Sequence, residues 1–122
     1  MKLKYFILFL VSIFSYWQDN TFYHYGLEEG LSQETIITLL KDSDGFLWIG
    51  TQDGLNRFDG DSFTIYRNNQ EDPSSIIDNY INVLLEHNNK TIWIGTATNG
   101  ICYYNGFIYK NLSSETYKLH FK

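Results

Sequence analysis

One sixteen-residue phrase occurs twice in this chain. "IITLLKDSDGFLWIGT" (36–51) and "INVLLEHNNKTIWIGT" (81–96) align without a gap. Ile36, Leu39, Leu40, Trp48, Ile49, Gly50 and Thr51 recur as Ile81, Leu84, Leu85, Trp93, Ile94, Gly95 and Thr96. After one inserted residue, Gly54 aligns with Gly100, and "FDG" (58–60) with "YNG" (104–106). A further echo, F-x-x-Y, joins "FYHY" (22–25) to "FTIY" (63–66). Self-similarity at a fixed period of this size signals stacked supersecondary units, each unable to bury its apolar faces alone. The chain therefore reads as one unit at about 22–62, a second at about 63–106 and the start of a third at about 107–122.

Each unit reads as strands. "FLWIGT" is a β-branched and aromatic run, and "SDG" (43–45) is a turn signal between it and "TIITLL", so the two form a hairpin. "QDG" (52–54) leads into "LNRF", and "DGDS" (59–62) turns into "FTIYR". Four short strands joined by Gly- and Asp-rich turns make one antiparallel sheet, and its repetition makes β-propeller blades. The composition agrees: aromatic residues reach 18% while alanine occurs once, at Ala97, which favours strand over helix. A helical reading competes at 76–85, where Ile76, Ile77, Tyr80, Ile81, Leu84 and Leu85 share one helical face. The repeat overrules it from residue 81 onward, because the equivalent stretch runs through a turn straight into the tryptophan strand. A helical turn around 74–79 stays open.

The recurring residues suit a scaffold. Trp48 and Trp93 are large enough to fill the wedge between neighbouring sheets. Gly50 and Gly95 fit where a side chain would block close strand approach. Gly54 and Gly100 stand where a turn calls for positive φ.

Catalytic and ligand signatures are sparse. His24, His87 and His120 have no metal-ligand spacing, and Cys102 has no partner for a disulfide or a metal and reads as a buried strand residue. Asp42, Asp44, Asp53, Asp59 and Asp61 accompany glycines at strand ends, where Asx side chains bond their own turns. No phosphate loop, nucleophile elbow or kinase motif occurs, so the chain is expected to carry no catalytic residue, no cofactor and no metal. Tyr23, Tyr103 and Tyr104 could stack on sugar rings but serve equally as packing residues; no ligand-binding residue is assigned. Fourteen acidic against nine basic residues argue against a nucleic-acid partner. At the N-terminus, Lys2 and Lys4 precede an apolar run from Tyr5 to Phe14, the pattern of a secretory signal segment over about residues 1–17. The run is short of the ~20 residues of a membrane helix.

"GLEEGLSQETIITLLKDSDGFLWIGTQDGLNRFDGDSFTIY" (26–66) closely resembles the two-component regulator propeller repeat: a GLS element, aliphatics, an acidic-Gly turn, LWIGT, a GLNR-aromatic-Asp-Gly stretch and F-x-x-Y. The resemblance extends from residue 22 to about 106. In the second unit "HNNKTIWIGTATNGICYY" departs from the acidic-Gly turn and the G-L-x-R stretch, and the next F-x-x-Y is expected two residues beyond Phe107. The resemblance implies an all-β fold: a partial propeller of about two four-stranded blades from a larger, seven-bladed ring. It also implies the periplasmic sensor region of a hybrid two-component histidine kinase of the Bacteroidetes type. The partners it implies are a carbohydrate ligand, the remaining blades and kinase modules of the parent, a homodimeric mate, and the inner membrane through a downstream helix or an uncleaved signal. The chain is then an N-terminal fragment with no enzymatic activity of its own. The same blades could front a diguanylate cyclase, a secreted scaffold or a polysaccharide lyase, or be a truncated remnant.

Overall fold

The computed structural model describes residues 20–88, 90–106 and 109–111. The signal-like segment at 1–17 and His120 lie outside them, as does the start of a third unit at 107–122 apart from 109–111. The described chain forms two four-stranded antiparallel sheets and no helix. The first holds β1 (Ile36–Lys41), β2 (Leu47–Thr51), β3 (Leu55–Phe58) and β4 (Phe63–Tyr66), in that spatial order. The second holds β5 (Ile81–Glu86), β6 (Ile92–Thr96), β7 (Ile101–Tyr104) and β8 (Tyr109–Asn111), again in order. These are two meander blades of propeller type, and the expected strands "LWIGT", "LNRF" and "FTIY" are β2, β3 and β4.

The two sheets copy each other pair by pair. Leu39 faces Ile49 and Leu40 faces Trp48; Leu84 faces Ile94 and Leu85 faces Trp93. The register breaks at the same place in both, between Ile36 and Thr38 and between Ile81 and Val83. Such a break bends the inner strand and increases its twist. Tyr109 pairs with Tyr104 as Phe63 pairs with Phe58, so β8 meets β7 two residues beyond Phe107.

The helical reading of 76–85 fails from residue 81, where β5 begins, and residues 74–79 form turns and bends rather than a helical turn. The apolar spacing that suited a helix serves another purpose. Ile76 and Ile81 enter the seam between the sheets, while Leu84 packs from β5. Residues 22–25, although they echo β4, form no strand among the described residues. A strand needs a ladder partner, and Tyr25 instead lays its ring against Phe58 and Phe63, at 4.8 and 6.1 Å.

The core is the seam. β5 packs on β1 and β2, and the buried cluster runs through both sheets: Trp48 and Leu55 from the first, Ile76, Ile81, Leu84, Ile92, Ile94 and Cys102 from the second unit. Burying each of the aliphatic side chains contributes roughly 1.5–3 kcal/mol. Two glycines set the spacing within each blade. A Cβ on Gly50 would lie 2.5 Å from Thr38 Cγ2 and 2.8 Å from Ile81 Cγ2, so the missing side chain is what lets the second sheet close on the first. At the matching Gly95 the nearest side chain is Val83, with Cγ1 at 2.4 Å.

Gly50→Ala is therefore expected to destabilise the chain by about 1–3 kcal/mol, as overpacking of a tight site does. Gly95→Ala should cost less, because the exposed Val83 can turn away. Urea unfolding of the two variants beside the parent chain checks the order.

Candidate functional site

A cleft of about 320 Å³ opens at one end of the seam, where the β1–β2, β5–β6 and β7–β8 turns converge. Its walls are Asp42, Asp44, Phe46, Trp48, Arg57 and Lys90, with Ile92 and Tyr104 to Gly106 completing it. The first turn is built by one carboxylate. Asp42 Oδ1 accepts the backbone N–H groups of Asp44 (3.0 Å) and Phe46 (2.9 Å), while Oδ2 accepts the indole N–H of Trp48 at 2.7 Å. An aspartate fits because its short side chain reaches its own turn and still has an oxygen to spare. Gly45 takes φ +94° to close the hairpin. In the second blade Lys90 takes φ +63° at the same place, a conformation that costs a non-glycine residue about 1 kcal/mol or more.

Trp48 is the floor. It stacks on Tyr66 (6.0 Å) and tilts against Tyr104 (5.2 Å), which reaches across from the second blade. The Arg57 guanidinium sits 4.8 Å from the Phe46 ring centre and 5.7 Å from that of Trp48, and donates to Tyr104 Oη at 3.3 Å. Tyr104 in turn donates to the Gly106 carbonyl. Lys90 pairs with Asp44, and the hydrogen bond to that carboxylate, with its charge, raises the lysine pKa. Ser43 donates its N–H and hydroxyl to Glu86. These contacts clamp the seam, and the cleft's charged and polar groups are engaged with one another.

Across the far end, the Gly54 N–H donates to the Asn79 carbonyl at 2.8 Å, joining the blades through backbone. Asp53 accepts from Arg67 at 2.8 Å, and that hydrogen bond holds its carboxyl below the usual range. Asp59 accepts the N–H groups of Ser62 and Asp61 and is lowered for that reason. The five aspartates singled out in the sequence are thus spread over three turns. Among the described residues no group of three or more His, Cys, Asp or Glu side chains could hold a metal ion. His87 contributes its backbone to the β5–β6 turn, accepting from Lys90 and donating to Thr91. His24 is exposed beside Gly26, and Tyr23 is exposed. Tyr103 packs on Trp93 at 5.5 Å.

Sequence reasoning missed a polar lock in the first blade. The buried Asn56 carboxamide accepts the Ser32 N–H (2.9 Å) and donates to Ser32 Oγ (2.8 Å), and Ser32 Oγ and Thr51 Oγ1 share a hydrogen bond of 3.0 Å. In the second blade Ile77 stands for Ser32 and Cys102 for Asn56, so the lock is replaced by an apolar pair. Cys102 is fully buried, which pushes its thiol pKa up, and it lies against the Ile77 backbone. The repeat alignment could have revealed this exchange, since both positions change together between the units.

Residues 30–53 and 75–98 match the family model described as two component regulator propeller, which bears out the resemblance seen in the sequence. A histidine kinase P4 of Formosa agariphila is 58% identical over 48 residues, 39% of this chain and 4% of that protein. The extracellular domain of the putative hybrid two component system BT3049 from B. thetaiotaomicron aligns with TM-score 0.45 and 23% identity, over 77% of this chain and 20% of that one. The chain therefore spans a small part of each relative.

Two outcomes follow from this geometry. Asn56→Cys or Ser32→Ile alone should cost about 1–3 kcal/mol by leaving buried polar groups unpaired; the double variant should cost less than their sum, as a double-mutant cycle in urea would show. The depressed Asp53 carboxyl adds stability that is present above its unfolded pKa and is lost as pH falls through its lower folded value. Both partners are about half exposed, so the contribution is only ~0–1 kcal/mol. Arg67→Ala should remove that acid-side slope in melts recorded against pH.

Proposed function

We propose that these blades belong to the extracytoplasmic sensing propeller of a two-component signal-transduction protein, a hybrid histidine kinase, and that they help recognise a carbohydrate. The match of both repeats to the regulator propeller family carries the reading, and the 58% identity to a histidine kinase over 48 residues supports it. In this reading the ring has more blades than the two described, seven in the complete propeller, and phosphotransfer belongs to other parts of the polypeptide. The ligand is held by loops of several blades at one end of the ring. Residues 1–17 act as the export signal, and the propeller stands on the periplasmic side of the inner membrane.

Export is tested by fusing alkaline phosphatase after Lys122. That reporter is active only where its disulfides form, outside the cytosol. Activity is expected from the complete fusion and its loss on deleting residues 2–17; equal activity from both would overturn the location. Sensing is tested on the full-length protein in membrane vesicles, by following autophosphorylation while oligosaccharides of defined composition are added. The response should vanish on in-frame deletion of residues 20–111. A response that survives this deletion would overturn the role assigned to the blades.

A further inference from the structure

The F-x-x-Y at 22–25 has a definite phase in the repeat. In the first blade the same pattern, Phe63–Tyr66, is the fourth strand, and a connection of fourteen residues (67–80) leads from it into the second blade. Residues 22–25 stand in the same relation to the first blade: a connection of ten residues (26–35) leads from Tyr25 to β1. By that phase they are the fourth strand of a blade that adjoins the first on its other side.

The packing agrees. Tyr66 reaches across the seam to lie 5.9 Å from Tyr104 of the second blade, and Tyr104 is the counterpart of Phe58. Tyr25 lies 4.8 Å from Phe58 itself. It thus meets the first blade as Tyr66 meets the second. The residues that follow it match as well. Leu31 is buried like its counterpart Ile76, and Ser32 bonds Asn56 where Ile77 lies against Cys102. What residues 22–25 lack is a sheet of their own. Tyr66 stacks on Trp48 of its own blade, and β4 pairs with β3. Residues 22–25 join no ladder among the described residues, and Phe22 and Tyr23 are 93% and 75% exposed. On the same side of the first blade Ile36 and Leu39 are exposed, although their counterparts Ile81 and Leu84 are buried in the seam.

We propose that residues 22–25 are the fourth strand of a further blade whose other three strands come from a distant part of the same polypeptide, and that this composite blade closes the ring. The proposal rests on the reading above that the ring has more blades than two. The three partner strands do not lie just upstream, because residues 1–21 contain no W-I-G-T stretch and no glycine for the turns of a meander. Sharing a strand has a physical purpose. Consecutive blades are tied by a peptide connection as well as by their seam, but the joint between the two ends of a ring has no such tie. With 22–25 in the ladder, residues 26–35 supply the tie, and the extended backbone gains the hydrogen-bond partners it needs. The partner is a three-stranded meander with W-I-G-T in its second strand. Its third strand pairs with 22–25, and its tryptophan lies under Tyr25 as Trp48 lies under Tyr66.

The test uses the full-length protein. Backbone hydrogen exchange is followed by mass spectrometry for the peptides that hold 22–25 and β4. Separately, a photoreactive benzophenone side chain is placed at Phe22, and its cross-links are mapped. Amides of 22–25 are expected to exchange within about tenfold of those of β4. The benzophenone is expected to capture, in the same molecule, the third strand of a distant W-I-G-T repeat, since Phe63 faces Phe58 of the third strand in the first blade. Free exchange at 22–25 beside a protected β4 overturns the proposal and leaves the multi-blade reading standing. Capture of the first blade alone, of a second molecule or of nothing also overturns it. A polypeptide without further W-I-G-T repeats overturns both readings. A ring that closes in this way but gives no response to oligosaccharides supports the closure and counts only against the sensing role.

Discussion

The seam over Gly50 is the contact on which everything else depends. Each sheet is apolar on both faces, and an isolated four-stranded sheet of this kind has nowhere to put them. Gly50 removes a side chain where β2 would otherwise hold the second sheet off, and Ile81 drops into the space. That approach brings Tyr104 onto Trp48 and buries Leu84 and Ile92. It also brings the turns at both ends within hydrogen-bond reach: Ser43 to Glu86 at one, Gly54 to Asn79 at the other. The polar clamps stand at the rims and the apolar contacts at the centre. The clamps fix the alignment of the blades, and the apolar contacts supply most of the energy, since exposed polar pairs contribute little each.

The two blades show which parts of the repeat are geometry and which are chemistry. The glycine opposite the register break and the tryptophan two residues before it persist, because nothing else has the right size there. The hairpin turn changes from Asp-Ser-Asp-Gly-Phe to His-Asn-Asn-Lys-Thr, yet matching backbone hydrogen bonds close it and Lys90 adopts the left-handed conformation of Gly45. The Ser32–Asn56 lock becomes Ile77 against Cys102. A buried site accepts a fully paired polar set or a fully apolar one, whereas half of each leaves a polar group without a partner. The departure of the second unit from the repeat pattern is in this respect a consistent change of chemistry at equivalent places of the fold.

The candidate cleft was only partly legible in advance. Asp42 and Asp44 could be read as turn residues, and that reading holds: Asp42 organises its hairpin and Asp44 meets Lys90. The roles of Arg57 and Tyr104 could not be read. They lie 47 residues apart in the chain, and no local pattern announces that a guanidinium of one blade will meet a phenol of the next. Residues 22–25 show the opposite difficulty. Their spacing copies that of β4, but among the described residues they join no ladder, and Tyr25 packs on Phe58 instead.

The sequence by itself determined the repeat, the all-β class, the order of strands and the turns between them. Those follow from local rules: alternation, β-branching, and the few residues that tolerate positive φ. Tertiary structure alone decided which face of each blade is covered. Trp48 and Trp93 occupy equivalent places in nearly identical strands, yet Trp48 is buried and Trp93 is half-buried. The difference arises from a neighbouring sheet, which no property of the strand encodes. Burial across a seam is a relation between two surfaces, and it comes into being only when they meet.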